Sequence, residues 1–465
     1  MADLDDELPH AIQIDAWPGR PAVGALVAGA EAWGARRGLP PAQEPLAFEK
    51  PVDMTCWQDP RVGYGILLRD TPDLAWSREK VSGVLAPPAI RELLAARKGT
   101  ALLYWNPALG DTHVRRYYDD GSTSDHPVGL THFGTTKNKL PRYILIAGSP
   151  TEIPWQVQFS LAVRHAVGRL PFDGDALEPY IDAMLDGENG WESTPTDDTA
   201  PVVWTVDHGV GDITRLMRSV LVAPVLKAFR GTLAGLTERD DAEATASELV
   251  AALGGSPTVV ITSSHGATPL DAVELPKVLG LPVDVEHSTV PLDDLTSSMP
   301  AGAVWFAQAC CSAGSSATSR FADLLEPNTD ARAVVESVTA LGSTVAPAPL
   351  ALLSRKKPVR AVFGHVEPTF DWTLEDPDSG ARLTGDLVDG LSSNLHFGQP
   401  VGHIFTEYRA GIGALYSRWT GLAVLLNTDD DAKVLKEMTK LRLTAMDRQS
   451  LVLLGDPTVR IPGLG

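Results

Sequence analysis

Short, continuous apolar runs alternate with longer amphipathic segments through the second half of the chain. The runs are Val202–Val206, Val259–Thr262, Ala303–Ala307, Val359–Phe363 and Leu451–Leu454. Because they contain few polar side chains, each run predicts a strand that is buried on both faces. Helical spacing characterises the intervening segments Asp212–Leu233, Asp240–Leu253 and Ala331–Leu341. Strands that alternate with helices predict an α/β fold with a mostly parallel sheet between two layers of helices.

The first part of the chain has a less regular pattern. Residues 1–140 are rich in Pro, Gly and Trp and carry only short apolar segments, among them Gly65–Leu68 and Ala101–Trp105, which indicates irregular α/β structure. Tyr143–Gly148 predicts a buried strand, and Pro154–Val167 predicts a helix that stops at Gly168. The polar, turn-forming residues 186–200 predict a domain boundary, with a smaller α/β N-terminal subdomain over 1–195 and a second domain over 200–465.

Composition limits the function classes. The chain has 465 residues and a net charge of −20, which argues against a nucleic-acid or anionic-membrane surface because both require clustered Lys and Arg. The acidic first residues are unlike a secretory signal, and no apolar run approaches the roughly 18 residues of a membrane span. Three cysteines, two of them adjacent, form no disulfide framework. We therefore expect a cytoplasmic protein without membrane or nucleic-acid partners.

A cysteine and a histidine each follow one of the predicted strands. Cys310 comes after Ala303–Ala307 and before a turn of small residues, and His265 comes after Val259–Thr262. The carboxyl ends of neighbouring parallel strands share one edge of a sheet, so these side chains are expected to meet. A thiolate attacks carbonyls and an imidazole takes and returns the proton, which favours a thiol hydrolase. The alternatives are a buried structural thiol and a hydrogen-bonded core histidine.

Cys311 is the rival nucleophile. Successive side chains of a strand point to opposite faces, so only one sulfur of the pair is expected to face the cleft, and the preceding Gln308-Ala309 favours Cys310. The small residues after the pair let a substrate backbone approach and offer N–H groups to a developing oxyanion. No Cys-x-x-Cys, His-Glu-x-x-His, Walker or Gly-x-Ser-x-Gly pattern is present, so we predict neither a metal nor another cofactor.

The segment Asp207–Asp212 follows the Val202–Val206 strand and admits several interpretations. It partly matches a dinucleotide-binding glycine turn, although Thr214 stands in the position of the third glycine. His208 competes with His265 for the role of the base. The two aspartates could form a pocket for a cationic substrate side chain. Asp212 could equally be the N-cap of the helix that it opens.

Several of these segments together resemble the caspase-like fold of cysteine peptidases, and most of all the bacterial gingipain-like and CHAT-like proteases. The resemblance begins with His265-Gly266 and Gln308–Cys310, each at the end of a strand. The further similar segments are Ala309–Gly314, Ala361–Glu367, Leu453–Thr458, Tyr143–Pro150 and Val167–Leu170. Residues 1–140 match no part of the family, and the Cys-Cys doublet departs from its pattern. The resemblance implies a caspase-like three-layer α/β sandwich preceded by a smaller subdomain, of which residues 140–185 are gingipain-like and non-catalytic.

The same resemblance implies roles for individual residues. Cys310 would be the nucleophile and His265 the base, with the Gly266 and Cys310 backbone N–H groups as oxyanion donors. The loop with Asp207 and Asp212 would shape the pocket for the residue before the scissile bond and favour cleavage after Arg or Lys. Alternative acids for that pocket are Glu367 and Asp371, and Trp372 would form a wall.

The predicted function is a cytoplasmic cysteine endopeptidase that acts on a protein or peptide substrate with a Cys-His dyad. By analogy with bacterial relatives it would be an effector in stress or antiviral defence, made as a zymogen or held inactive until an activating protease or regulatory partner acts. Ser315–Arg332 and Arg355–Lys357 are the candidate processing loops. The alternatives are a catalytically silent caspase-like scaffold or regulatory module, and an unrelated nucleotide-dependent enzyme that uses the Gly209–Gly211 turn.

Overall fold

The computed structural model describes residues 11–30, 52–172, 174–185, 190–191, 196–426 and 432–461. The strands are β1 (Ala11–Ile14), β2 (Ala16–Trp17), β3 (Ala22–Ala25), β4 (Tyr64–Arg69), β5 (Ala101–Trp105), β6 (His113–Tyr117), β7 (Thr123–Pro127), β8 (Tyr143–Ala147), β9 (Ala166–Leu170), β10 (Val202–Thr205), β11 (Thr237–Arg239), β12 (Val259–Ser263), β13 (Gly266–Ala267), β14 (Val304–Gln308), β15 (Gly314–Ser315), β16 (Thr344–Val345), β17 (Ala361–His365) and β18 (Leu451–Gly455). The helices are α1 (Arg78–Ser82), α2 (Pro88–Ala96), α3 (Trp155–Ala162), α4 (Glu178–Leu185), α5 (Ile213–Met217), α6 (Ala223–Arg230), α7 (Ala246–Leu253), α8 (Leu275–Val278), α9 (Leu292–Ser298), α10 (Asp330–Ala340), α11 (Pro347–Ser354), α12 (Gly385–Ser392), α13 (Thr406–Leu425) and α14 (Ala432–Ser450).

One large sheet organises the described residues. Its twelve strands run in the order β11-β10-β12-β14-β17-β18-β9-β8-β4-β5-β6-β7. Neighbours are parallel except for the β17–β18, β5–β6 and β6–β7 pairs. The prediction of a mostly parallel α/β sheet is therefore confirmed, and the architecture is consistent with a caspase-like fold.

Helices cover both faces of the sheet. The chain leaves β10 to one side, to form β11, and then crosses back past β10 to β12. Crossover connections between parallel strands are right-handed, so two connections that move in opposite directions across the sheet place their helices on opposite faces. The helices form two separate series in which each helix packs against the next. One series is α7-α9-α11-α4-α2, and the other is α6-α12-α13-α14-α3. The predicted three-layer arrangement is thus present.

The two strands before His265 and Cys310 lie side by side at the centre of one half of the sheet. Every residue of β12 and β14 is buried, as the continuous apolar runs predicted. They pair in parallel from Val259↔Val304 to Ser263↔Gln308, so both strands end at the same level. The polar groups among these apolar residues find partners, since Trp305 Nε1 donates to Thr262 Oγ1 at 3.0 Å. This register brings the two following loops together.

The predicted helix Pro154–Val167 is wrong at its C-terminal end. The helix α3 stops at Ala162, and Ala166 already belongs to β9. β9 is buried at every position, and a short apolar run of this kind does not distinguish a buried strand from a buried helix. Gly168 lies within β9, where a Cβ atom would stand 2.1 Å from the Gly455 carbonyl oxygen. Tertiary pairing with β18 therefore decides the structure here.

Two further predicted helices need adjustment. Of Asp240–Leu253 only Ala246–Leu253 is α-helical, because Thr245 accepts a hydrogen bond from Glu248 N and caps the helix there. The predicted Asp212–Leu233 is helical from Ile213 to Arg230, with π-helical geometry over Arg218–Val222. Ala331–Leu341 is confirmed as α10.

The strand predictions are largely confirmed. β4, β5, β8, β10 and β18 lie where apolar runs were found, and β17 starts two residues later than predicted and extends to His365. β6 and β7 were not predicted because their sequences are mostly polar. The boundary placed near residue 195 stays a prediction. In the structure β18 pairs with both β17 and β9, so strands from both sides of that boundary share one sheet.

Residues 11–25 lie apart from the large sheet. β1 pairs antiparallel with β3, and β2 pairs in parallel with β13, directly after His265. The beginning of the described chain is thereby placed at the carboxyl ends of the central strands. None of the helices among the described residues is both long enough and apolar enough to cross a bilayer.

Candidate active site

The loops after four parallel strands meet at one edge of the sheet. The loop after β10 carries Asp212, and the loop after β12 begins with Ser264 and His265. Cys310 follows β14, and Thr369 follows β17. This edge includes the position between β10 and β12 where the chain reverses its direction across the sheet, which is where ligands of open parallel sheets bind.

Cys310 is fully buried at this edge. Its Sγ accepts a hydrogen bond from Thr369 N at 3.1 Å, and its backbone N donates to the Asp15 carbonyl oxygen at 3.1 Å. Burial raises the pKa of the Cys310 thiol well above its usual value, and the nearby Asp15 carboxyl raises it further. In this state the sulfur is a shielded thiol, which is a poor nucleophile.

Cys311 has different surroundings. Its φ of +57° lies in the left-handed region, which is unusual for a residue with a side chain. Its N donates to the Glu367 carbonyl oxygen at 3.4 Å, and its own carbonyl accepts from Gly314 N at 3.1 Å. Burial, together with the charge of Glu367, raises the pKa of this thiol too. Of the two cysteines, only Cys310 donates its backbone N–H to Asp15. The left-handed conformation of Cys311 turns the chain immediately after Cys310.

His265 lies between two carboxylates. Its Nε2 is 3.0 Å from Asp212 Oδ2, with hydrogen-bond geometry, and its Nδ1 is 2.9 Å from Asp15 Oδ1. Burial alone would lower the pKa of the imidazole, but the two carboxylates outweigh it and raise the pKa to about 9. The ring is therefore an imidazolium at neutral pH while both acids stay in place.

Asp212 has a second task besides its contact with His265. Its Oδ1 accepts from Thr214 N at 2.9 Å, which makes Asp212 the N-cap of α5, as one of the sequence interpretations held. Burial opposes the ionised form, but His265 and Thr214 prevail and hold the pKa of this carboxyl well below its usual value. A capped helix end thus fixes an ionised acid against one nitrogen of His265.

Two backbone N–H groups converge on one carbonyl oxygen. Gly266 N and Cys310 N donate to the Asp15 oxygen at 3.2 and 3.1 Å. The two loops approach closely, and a Cβ atom on Gly266 would stand 2.0 Å from the Cys310 carbonyl oxygen. Glycine is required there because no side chain fits between the backbones. The two N–H groups named from the sequence as oxyanion donors therefore share a single acceptor, a peptide carbonyl.

The acceptor belongs to residues 11–17, which we call the strap. The strap crosses the site as an extended peptide: Asp15 N donates to the Thr369 carbonyl oxygen at 3.2 Å, and Ile14 forms an antiparallel bridge with Phe370. Beyond Asp15, the strap pairs in parallel with β13, and Thr268 N donates to the Trp17 carbonyl oxygen at 3.2 Å. Backbone pairing of this kind is how clefts hold extended peptides.

The Asp15 side chain lies inside the site and is fully buried. Burial raises its pKa to about 7, although the contact with His265 works in the opposite direction. Among the described residues, the cationic group that contacts this carboxyl is the His265 imidazolium. Asp15 therefore places a carbonyl on the two amide donors and a carboxyl on the imidazole at the same time.

Trp17 of the strap packs on a group of histidine rings. Its ring centroid lies 5.3 Å from His265, 5.4 Å from His208 and 4.5 Å from His287. His208 is stacked on His287 at 4.1 Å and on His265 at 5.4 Å, and its Nε2 lies 2.9 Å from the Asp284 carbonyl oxygen. Burial lowers the pKa of His208, so its neutral ring can stack beside the charged one.

His208, Asp212 and His265 offer one ligand atom each within 4.8 Å of one another, which suits a divalent transition metal. Both nitrogens of His265 face carboxylates in the structure, and imidazole must be neutral and free on one nitrogen to bind a metal. These residues could therefore hold a metal only after Asp15 has moved away.

The remaining residues named from the sequence lie around the same loops. Asp207 accepts from Gly209 N at 2.8 Å and is 3.7 Å from Arg218. Asp371 is near the strap: burial raises its pKa to about 7, while the amides of Trp372 and Gln13 lower it. The Trp372 side chain is buried among apolar residues.

Glu367 forms a salt bridge with Arg320. Its carboxylate accepts from Arg320 Nε at 2.8 Å and from Arg320 N at 3.1 Å, and it is buried. Arg320, which the sequence placed in a candidate processing loop, also donates to the Met446 carbonyl oxygen at 2.8 Å. Of the four acids proposed for a substrate cation, Asp207, Asp212 and Glu367 thus already contact charged groups of the chain itself.

Sequence reasoning missed the residues that occupy the site. Asp15, Trp17 and His287 were not named because none belongs to a recognisable spacing or follows a predicted strand. Thr369 lies in the loop after a predicted strand, but it contributes a backbone amide, which no side-chain pattern marks. Asp15 is in contact with residues 250 to 354 positions away, and the sequence around it carries no signal of that contact.

No family model matches the sequence, and no curated protein does. Some solved structures are similar to the chain. One is the complex of RgpB pro- and mature domains from Porphyromonas gingivalis, with 11% identity, 86% of this chain and 80% of that chain covered, and a TM-score of 0.38. A structure described as a protease has 13% identity, coverages of 85% and 78%, and a TM-score of 0.41. The Arg-specific cysteine proteinase gingipain R has 11% identity, coverages of 87% and 79%, and a TM-score of 0.39.

Proposed function

We propose that this protein is a cysteine endopeptidase of the caspase-like kind, with Cys310 as nucleophile and His265 as base. One observation carries the proposal: the N–H groups of Gly266 and Cys310 donate to the same peptide carbonyl oxygen, beside the imidazole of His265. Two aimed donors at the carbonyl of an extended peptide are what acyl transfer requires for its oxyanion.

The chemistry would proceed from these positions. The Cys310 thiol gives its proton to Nδ1 of a neutral His265, and the thiolate attacks the carbonyl carbon of the substrate. The new oxyanion takes the place of the Asp15 oxygen, against the two amides. The imidazolium then protonates the leaving amine, the C–N bond breaks, and a water molecule, deprotonated by His265, hydrolyses the thioester.

Asp212 would orient the base in this scheme. Its carboxylate accepts from Nε2, so the neutral imidazole carries its proton on Nε2 and leaves Nδ1 free to receive the thiol proton. It also stabilises the imidazolium that forms after the transfer. This is the task of the third residue in nucleophile–base–acid triads.

The strap makes this structure an inhibited state of the proposed enzyme. The Asp15 carbonyl fills the oxyanion position, and the Asp15 carboxyl occupies the nitrogen that would accept the thiol proton. An aspartate bound in this way ties up the base, so we infer that the strap acts as an inhibitor rather than as a good substrate. This occupied cleft supports regulation of the enzyme by an activating protease or a partner that displaces the strap. The proposed setting is a cytoplasmic effector in stress or antiviral defence.

The proposed substrate is an extended protein segment that takes the place of the strap. Among the four acids named from the sequence, Asp207, Asp212 and Glu367 already contact Arg218, His265 and Arg320. Asp371 is therefore the acid best suited to a substrate Arg or Lys, beside the Trp372 wall. Cleavage after Arg or Lys is proposed on this basis.

Fluorogenic peptides with Arg, Lys or Asp before the leaving group test the proposal. We expect turnover of the basic peptides by the wild type, loss of at least a thousandfold in Cys310→Ala, and retention in the matched Cys311→Ala. Equal turnover by wild type and Cys310→Ala would refute proteolysis by this thiol. Loss in Cys311→Ala alone would assign the nucleophile to the other sulfur, and preference for Asp would refute the basic pocket.

A silent peptide-binding module is the second candidate, because the thiol is buried and the cleft is occupied. An Asp15→Ala variant separates the two functions. A variant that binds extended peptides but cleaves none of them would favour the silent module.

A further inference from the structure

A second cavity lies away from the candidate active site, beneath α3, α13 and α14. It has a volume of about 1230 Å³, and its wall also includes His113 of β6 and Pro127 of β7. This volume exceeds the roughly 300–1,000 Å³ that small-molecule sites usually have. Among its lining residues are Arg142, Arg164 and Arg409.

These three arginines have only neutral partners. Arg142 donates to the Arg164 carbonyl oxygen at 3.0 Å and to Thr406 Oγ1 at 3.1 Å. Arg164 donates to the Gly129 carbonyl oxygen at 2.7 Å, and Arg409 to the Gly402 carbonyl oxygen at 3.1 Å. Among the described residues, no carboxylate forms an ion pair with any of the three, although the whole chain has an excess of 20 negative charges.

Charge without a counterion is costly at this depth. Arg142 and Arg409 are more than nine-tenths buried, and Arg142 Nε has no hydrogen-bond partner among the residues that the structure describes. Burial, together with the charge of Arg142, lowers the pKa of Arg409 to about 10. Buried guanidinium groups normally pair with acids, so three together without one indicate that the counterion comes from outside the chain.

Part of the cavity wall is apolar and includes Leu130, Phe133, Phe159, Val163 and Met446. Polar side chains, among them Asp111, Gln156 and Gln449, also line the cavity. An apolar wall of this kind buries a hydrocarbon or aromatic body, while the guanidinium groups suit a planar or tetrahedral anion.

We propose that this cavity binds an amphipathic anion, whose phosphate or carboxylate group contacts Arg142, Arg164 and Arg409 and whose apolar body lies along the apolar wall. Arg320 also lines the cavity but differs from these three, because Glu367 already neutralises it. The site is separate from the Cys310 loops and does not depend on the proposed protease activity.

Calorimetry on the full chain with defined probes tests the proposal. The probes are n-octyl phosphate, octanoate, inorganic phosphate and n-octanol. We expect n-octyl phosphate or octanoate to bind at least tenfold more tightly than inorganic phosphate and n-octanol, and the comparison of the first two identifies the preferred anion. Equal binding of inorganic phosphate and octyl phosphate would overturn the amphipathic assignment, and so would equal binding of octanol.

Variants identify the residues that bind the anion. Arg409→Gln and Arg142→Gln should each weaken n-octyl phosphate binding at least tenfold while n-octanol binding stays within twofold. The matched control is Arg116→Gln, which removes another buried arginine whose partners are backbone carbonyls, outside this cavity. Circular dichroism checks folding, and Arg164→Gln, at a less buried position, replaces any variant that fails to fold. Unchanged binding in the folded variants would overturn the proposal.

Discussion

Two buried groups of cationic side chains differ in how their charge is balanced. The imidazolium of His265 lies between the carboxylates of Asp212 and Asp15, both from the same chain. Arg142 and Arg409 contact only oxygens of neutral groups. The charge of His265 is thus balanced by carboxylates of the same chain, whereas the charges of the two arginines are not.

This difference separates an occupied site from one that still needs a ligand. At the first site one carboxylate, Asp212, is part of a helix cap and stays with its element. The other, Asp15, belongs to a segment that lies outside the large sheet. At the cavity, no described acid plays either role.

The largest effect is expected for Asp212→Asn. Asparagine caps a helix as well as aspartate does, so α5 should persist, but it no longer fixes the imidazole or stabilises its charged form. We expect kcat for peptide cleavage to fall about a thousandfold. Asp293→Asn, at an exposed position of α9, is the control. Comparable kcat values for the two variants would remove Asp212 from the mechanism.

Arg320→Met should destabilise the fold by about 3 kcal/mol, since it leaves the buried Glu367 carboxylate without its partner. Arg409→Met should cost about 1 kcal/mol or less, because it deletes a charge that no carboxylate balances and one hydrogen bond. Denaturant unfolding of the two variants compares a balanced with an unbalanced arginine. Equal losses would show that Arg409 is structurally neutralised after all.

The pH dependence of stability reports on His265. Its pKa in the folded state is about 9, above the usual 6.5, so the folded chain holds the proton more tightly than the unfolded chain does. The resulting stabilisation is complete below pH 6.5 and is lost as the pH rises through 9, at a cost of about 3 kcal/mol. The pKa of Asp15 is also raised, from 3.8 to about 7, so its own contribution to stability is lost as the pH rises through 7, before that of His265.

Thermal unfolding between pH 7 and 9 should therefore show a steeper decline for the wild type than for Asp15→Asn, which removes one of the two carboxylates. The slope of Asp207→Asn should match the wild type. Parallel curves for wild type and Asp15→Asn would mean that Asp15 does not hold the imidazolium.

The smallest effect is expected for Asp15→Ala. Loss of the carboxyl frees Nδ1 of His265 and weakens the strap, so turnover of a fluorogenic peptide should rise about tenfold. Val23→Ala, on an exposed position of β3, is the control for local disturbance. A variant no faster than wild type would show that the strap does not limit access to the cleft.

Much of the sheet could be predicted because its strands are continuous apolar runs. β12 and β14 are buried at every position, so their sequences alone identify them, and their shared direction brings His265 to Cys310. The end of α3 could not be predicted, since Ala166–Leu170 becomes a strand only by pairing with β8 and β18. Local sequence carries no record of such distant partners.

The candidate site divides in the same way. Cys310, His265 and Gly266 follow strands and were named from the sequence, whereas Asp15 was not. Asp212 was named as a pocket acid or a helix cap, and its contact with His265 depends on the path of the loop after β10. A single buried aspartate between two short strands has no spacing that marks it. The pairing of one acid with two roles appears only in three dimensions.

The strap belongs to the same chain as the cleft that it fills, and this has a kinetic consequence. A tethered segment acts at an effective concentration on the order of millimolar, whatever the protein concentration. A substrate with micromolar intrinsic affinity would then need nearly millimolar levels to compete, and dilution would not activate the protein. In the proposed enzyme, release of the strap from the cleft is a first-order event. Its rate therefore limits how fast a partner that captures the strap, or a protease that cuts it, can make the cleft available.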